Sequence, residues 1–208
     1  MSLPNVMPTP DVRPALFRTA TLCAVQLRPD DVSTLQQFFE HNPEYFLAVN
    51  GQRPGADEAL NEFNDGPPPD LPHGAIYAIG LIDADGVLTA SATVLADLCA
   101  VGVWHISLLI VATAAHGNGT AHQVYRGLEQ WMRDQGAVWL RLGVVVGNTR
   151  AERFWQRLGY AEVRQRGPLT MGLRANMLRV MVKPLTTAPL ADYLNRVPRD
   201  QPALAVPR

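Results

Sequence analysis

TAAHGNGTAHQVYRGLEQWM, residues 113–132, opens as a small polar run punctuated by glycine and closes as a helix. Behind Gly117, Asn118 and Gly119, the apolar side chains Ala121, Val124, Leu128 and Trp131 recur at helical spacing. Just upstream, VWHISLLIVA (residues 103–112) is a near-continuous apolar run, the pattern of a strand covered on both faces. A strand, a glycine loop and a long helix therefore follow one another. The first amides of a helix lack internal partners, and the helix dipole adds partial positive charge there. Small residues let such donors close around an anion such as a pyrophosphate. A glycine pair before a helix also serves a tight turn with no ligand at all. On this stretch alone both readings stand.

Two phosphate-binding patterns are excluded. A P-loop needs Lys followed by Ser or Thr after its second glycine, and GNGTAHQ has no such Lys. A dinucleotide fingerprint needs a third glycine and an acid about 20 residues on, at the end of the next strand. Position 122 is histidine, and VWLRLGVVV (residues 138–146) runs on into Gly147 and Asn148.

The rest of the chain sets the frame. Its 208 residues favour one domain with extensions. Hydrophobic residues make up 47% and charged residues 18%, a globular composition. With 18 Lys and Arg against 19 acids, the net charge of −1 provides no long-range pull toward nucleic acid or an anionic membrane. No apolar stretch approaches the ~20 residues of a membrane span, and the amino terminus lacks a secretory pattern. Cys23 and Cys99 are too few for a disulfide framework, which fits a reduced cytoplasmic setting.

Proline-rich ends at residues 1–18 and 184–208 read as a flexible arm and a peripheral extension, the latter with one short helix around 191–195, around a domain at 19–183. Between them the patterns give a strand at 22–27, helices through residue 63, and two strands joined by the turn DADG (83–86). The strand at 103–112 and the long helix follow, then the strand at 138–146 and a helix in NTRAERFWQRLG (148–159). YAEV (160–163) and MLRVMVK (177–183) close the order as strands. This is a mixed α/β layer, neither doubly wound nor a barrel.

At this point the sequence resembles the GNAT superfamily of N-acetyltransferases. That family's loop reads Arg/Gln-x-x-Gly-x-Gly/Ala, and here HGNGTA supplies Gly119 and Ala121, with His116 in the leading place. A second family motif, Asn-x-x-Ala-x-x-Phe-Tyr-x-x-x-Gly-Phe, is matched by Asn148, Ala151, Phe154, Gly159 and Tyr160, with Trp155 in place of the usual tyrosine. The resemblance spans about residues 22–183. It implies a mostly antiparallel sheet of about seven strands, splayed between the fourth and fifth, with about four helices. It also implies acetyl-CoA as co-substrate, its pantetheine arm filling the splay beside Leu109, Ile110 and Val111. The Leu109 amide would polarise the thioester. The pyrophosphate would meet the main chain at Gly117, Asn118, Gly119, Thr120, Ala121 and His122, with His116 facing either phosphate or water. Asn148, Phe154 and Trp155 would border the arm from the far side.

Acyl transfer to nitrogen needs a neutral amine, and an alkylammonium of pKa ~10.4 is only about 0.1% neutral at pH ~7.4, roughly 4 kcal/mol uphill. A base removes that difficulty. His105, four residues before Leu109 on the same strand, is aimed to the same side by strict alternation, with Ser107 between them. His105 resembles the strand-borne catalytic histidine of serotonin N-acetyltransferase, another family member; the competing reading is a hydrogen-bonded core histidine. Indole cannot protonate a thiolate as the usual tyrosine does, which leaves Tyr125 and Tyr160 as unplaced candidates. The acidic segment bearing Asp57, Glu58, Glu62, Asp65 and Asp70 is either a collar for a cationic amine or a solvated loop. Residues 164–177 are expected to wall the other side of the pocket. The histidines share no metal-ligand spacing, so no metal is expected.

The resulting expectation is an acetyl-CoA-dependent N-acetyltransferase acting on a small-molecule or accessible protein amine by direct attack, with homodimerisation open. A non-catalytic acyl-CoA sensor and a transferase of longer acyl groups are the alternatives.

Overall fold

The computed structural model describes residues 13–202. Among them, eight strands form one sheet in the order β1-β2-β3-β4-β5-β6-β8-β7, with six α-helices around it. The first half comprises β1 (Ala15–Arg18), β2 (Cys23–Gln26), α1 (Val32–His41), α2 (Glu44–Val49), α3 (Glu58–Asn64), β3 (Ile76–Ile82) and β4 (Leu88–Leu95). The second comprises β5 (Val103–Val111), α4 (Thr120–Asp134), β6 (Trp139–Val145), α5 (Thr149–Arg157), β7 (Ala161–Met171), β8 (Arg174–Pro184) and α6 (Leu190–Arg196). All neighbouring strands are antiparallel except β5 and β6, which α4 links as a parallel crossover.

The class is the expected mixed α/β fold with a mostly antiparallel, splayed sheet, carrying one strand and two helices more than the resemblance implied. Period-two alternation gives the sheet two apolar faces. Ile79 and Leu81 share a core with Val124, Leu128 and Met132 of α4 and with Trp155 of α5. Val25 and Ile82 share another with Leu35, Phe38 and Phe39 of α1 and Phe46 of α2.

Both proline-rich ends are more closely packed than expected, although the short helix expected near residues 191–195 is present as α6. Residues 15–18, expected within a loose arm, are β1, and Phe17 packs on Trp131 with ring centroids 6.3 Å apart. Gly127 makes that approach possible: a Cβ there would lie 2.7 Å from the Phe17 ring. Arg13 adds a two-pronged bond to Asp31, at 2.5 and 2.9 Å. The rest of the expected arm, residues 1–12, lies outside the described residues. At the other end, Tyr193 of α6 and Val197 are buried against Trp139, Val180 and Val182. Each such side chain contributes roughly 1.5–3 kcal/mol by leaving water. Residues 184–202 are thus packed on the domain, while 203–208 lie outside the described residues.

The segment 164–177, between the two closing strands, is a hairpin that extends β7 and β8 well past the strand bounds expected from the sequence. Its tip reaches α2: the Leu173 amide donates to the Asn50 carbonyl at 2.8 Å, and Asn176 Nδ2 donates to the Val49 carbonyl at 2.8 Å. No helix among the described residues is long and apolar enough to cross a membrane.

Candidate active site

β5 and β6 pair from Val103/Trp139 to Ile106/Leu142 and then part. Beyond that point residues 108–111 remain paired only with β4, and residues 143–145 only with β8. A bulge starts the divergence: Thr93 opposes Leu108 while its neighbour Val94 opposes Ile106, leaving Ser107 as the extra residue. The Ser107 hydroxyl donates to the Thr93 carbonyl at 3.2 Å. Each parted strand presents one unpaired edge to the gap, a row of backbone donors and acceptors.

The gap opens into a cleft of about 910 Å³. Leu109, Ile110 and Val111 line it from β5, and His116, Gly117, Gly119, Ala121 and His122 from the loop and α4. Asn148, Phe154 and Trp155 close the far side. Two expected contacts, Asn118 and Thr120, do not line the cleft. Asn118 Oδ1 instead accepts from the Thr120 amide (3.1 Å) and hydroxyl (2.6 Å), shaping the turn into α4.

The loop glycines have a definite reason. Gly117 and Gly119 sit at φ +84° and +87°, and no protein atom lies within 4 Å of a Cβ added to either. Backbone conformation demands them, while the space before them stays open. Among the described residues, the amides of Gly117, Gly119 and Ala121 have no protein acceptor. His116 lines the cleft, and its Nε2 is bonded to the Val111 carbonyl at 2.9 Å. Asn148 acts as the N-cap of α5, accepting from the Ala151 amide at 3.3 Å, while it borders the cleft. The loop's entry is fixed by the α1–α2 junction: the Thr113 amide donates to Asn42 Oδ1, and its hydroxyl to Glu44 Oε2, both at 2.7 Å.

Sequence reasoning missed the cleft's main charge. Arg150, Arg153 and Arg157 line it from one face of α5 and make no ion pair among the described residues. Their spacing of three and four residues was the available signal.

A second cavity, of about 360 Å³, lies against the other side of the bulge, with His105, Ser107 and Leu108 in its wall. Tyr45 of α2 lines both cavities, so they are neighbours across its side chain. The bulge corrects the expected geometry of β5. Trp104 and Ile106 belong to the α4 side of the sheet, but past Ser107 it is Leu109 and Val111 that do so. Leu108 and Ile110 turn to the α1 side. One extra residue shifts the alternation, so His105 faces the second cavity and Leu109 the first.

His105 is also unlike the base that was expected. Its Nδ1 lies 3.3 Å from Arg141 Nη1, and a guanidinium only donates, so the neutral ring carries its proton on Nε2. Burial first, and the Arg141 charge second, push its pKa down to about 3. Such an imidazole is a poor proton acceptor near neutrality. Arg141 is itself held by Asp200, with Nε–Oδ2 at 2.7 Å and Nη2–Oδ1 at 3.1 Å. The Tyr193 hydroxyl donates to Asp200 Oδ2 at 2.6 Å. Burial alone would raise the Asp200 carboxyl, but the Arg141 bond and charge bring it below the usual range.

The acidic segment is split between two roles. Glu58, Glu62 and Asp65 line the second cavity, whereas Asp57 and Asp70 do not. Burial, with Glu58 and Asp65 adding repulsion, raises the Glu62 carboxyl against the lowering bond from Thr93. Tyr125 and Tyr160 line neither cavity. Their hydroxyls lie 3.3 Å apart beneath Trp155, whose ring meets theirs edge-on at 5.6 and 5.3 Å, and burial raises both phenols. Neither reaches the cleft.

This arrangement can hold an extended anionic thioester in one cavity and present its reacting end to a second, acid-lined cavity. Comparison with known proteins accords with it. A family model described as acetyltransferase (GNAT) family matches residues 35–160. No curated protein matches the sequence at a significant level. Among solved structures, an acetyltransferase from Thermus thermophilus superposes with a TM-score of 0.63 at 22% identity, over 80% of this chain and 99% of that one. A spermidine N-acetyltransferase from Vibrio cholerae, solved with CoA and spermine, gives 0.60 at 16%, over 79% and 96%. A ribosomal-protein-S5-alanine acetyltransferase from Vibrio fischeri gives 0.61 at 11%, over 83% and 98%. The chain belongs to the GNAT acetyltransferase family and is an acyltransferase.

Proposed function

We propose that this enzyme moves an acetyl group from acetyl-CoA to a primary amine by direct attack within a ternary complex. The observation that carries the reading is the parting of β5 from β6 beside two neighbouring cavities that share Tyr45 in their walls. In this reading the larger cleft takes the pantetheine arm along residues 109–111. The free amides at the mouth of α4 take the diphosphate, and the α5 arginines take the remaining phosphate charge. CoA-bound and amine-acetylating neighbours support the choice of co-substrate and acceptor class.

The second cavity takes the acceptor. Glu62 attracts its ammonium group and accepts the proton that must leave before nitrogen can attack. A carboxyl raised above its usual range suits that role better than a histidine held near 3. The Leu109 amide donates to the thioester oxygen as negative charge grows there. Nitrogen bonds to the carbonyl carbon and the carbon–sulfur bond breaks. Sulfur leaves as the thiolate, and Tyr45, which lines both cavities and is kept protonated by burial and the nearby Glu62 and Glu58, steadies it with a hydrogen bond from its hydroxyl, without giving up the proton. The two unpaired cysteines support a reducing cytoplasmic setting.

Free-thiol release from acetyl-CoA, measured across a panel of amines, tests the reading. Amine-dependent release is expected. Tight binding of acetyl-CoA with no release from any amine would instead favour an acyl-CoA sensor.

A further inference from the structure

The acceptor cavity carries opposite charges on opposite walls. Glu58 and Glu62, on α3, and Asp65 just after it contribute acids from one side. From the other come Arg141 of β6, Arg166 of β7 and Arg199, which lies in the short 3-10 turn after α6. Only Arg141 is neutralised locally, by Asp200. Among the described residues Arg166 and Arg199 have no carboxylate partner, and Arg199 Nε is buried with no hydrogen bond.

Among the described residues no ion pair joins the two walls, so their charges face each other across the cavity uncompensated. Asp65 is exposed and Glu58 Oε2 accepts from the Gly55 amide, but Glu62, Arg166 and the Nε of Arg199 are withdrawn from water, and a ligand that meets both walls would offset that cost. A diamine would satisfy only the acidic wall. The cavity is also roofed. Met171 lines it from the β7–β8 hairpin, whose tip is bonded to the end of α2 through Asn50 and Val49. That strap and a volume of about 360 Å³ suit a small molecule better than a protein segment.

We infer that the acceptor is a small amphoteric molecule, its amine set against Glu62 and a carboxylate or phosphonate set against Arg166 and Arg199. The inference rests on the acetyltransferase reading above and deepens it by naming the acceptor's second group. Two roles then divide between the walls: the acids position the nucleophile, and the arginines select the molecule that carries it. Guanidinium groups recognise carboxylate and phosphonate through the same forked, charge-assisted bonds, so both anions are covered.

The test uses matched pairs on the full-length protein. Thiol release from acetyl-CoA is measured with glycine, β-alanine, 4-aminobutanoate and 6-aminohexanoate, each against its methyl ester. 2-Aminoethylphosphonate and 1,4-diaminobutane complete the set. At least one amino acid or the phosphonate should exceed its ester or the diamine by roughly tenfold or more in kcat/KM. In Arg166→Gln and Arg199→Gln that acid-to-ester ratio should fall toward one, with CoA binding by calorimetry reporting an intact fold. Equal rates for acids and esters, a preference for the diamine, or a ratio that survives both substitutions would overturn the inference.

Binding separates this outcome from failure of the transferase reading. The same acids and esters are titrated calorimetrically into the CoA-loaded protein. Acids that bind more tightly than esters, with no thiol released, would uphold the charged subsite and overturn acetyl transfer. Equal binding of both would overturn the subsite whether or not thiol is released.

Discussion

At the scale of single residues, Glu62 and His105 make opposite demands on pH. Glu62 must be ionised to accept a proton, so kcat/KM should rise with pH through a limb above the ordinary carboxylate range of ~4.3. Glu62→Gln should remove that limb and lower kcat by about 10²–10⁴-fold. His105→Gln should cost less than about tenfold and leave the limb in place, because the ring is neutral across the working range. Stopped assays between pH 5 and 9 would read both, and a limb lost in His105→Gln but kept in Glu62→Gln would reverse the assignment. The α5 arginines allow a cleaner binding measurement. Arg153→Ala should raise the KM for acetyl-CoA about tenfold, equivalent to ~1.4 kcal/mol, with kcat little changed. An unchanged KM at low salt would remove that arginine from phosphate binding.

At the scale of elements, the C-terminal segment is a structural part of the site. Asp200 is fully buried and grips Arg141, which in turn touches His105 on β5. Asp200→Asn strands a buried guanidinium, and thermal or urea unfolding should show a loss of about 3–5 kcal/mol. The sign with pH is fixed by the lowered carboxyl. Its contribution is present above the unfolded value of ~3.9 and disappears as pH falls through the lower folded value. In melting curves the gap between wild type and Asp200→Asn should therefore hold at neutral pH and narrow as pH falls below ~3.9 toward ~3. A gap that stays constant to pH 3 would contradict the ion-pair account. The glycine loop makes a separate demand: Gly119→Ala forces a side chain to φ +87° and should cost about 1 kcal/mol of stability.

At the scale of the whole molecule, the readable features were local. A glycine loop between an apolar strand and an amphipathic helix, and a second motif on the next strand and helix, placed most of the cleft in order. Each depends on residues within a few turns of one another. The features that escaped depend on distant pairing. The Ser107 bulge exists only against β4, and it alone turns His105 away from Leu109. Arg141 meets Asp200 across 59 residues, and Phe17 meets Gly127 across most of the domain. Proline-rich composition suggested loose ends because it reports the lack of periodicity, not the packing of Tyr193 or Phe17 against a finished sheet.

The central claim is that the parted strands and the mouth of α4 hold the acyl-CoA. Amide hydrogen exchange with and without saturating CoA tests it most directly. Protection should increase at residues 109–111, 117–121 and 143–145, while the α1–β3 face changes little. Unchanged exchange at all three segments, under conditions where calorimetry shows CoA bound, would place the ligand elsewhere and contradict the account.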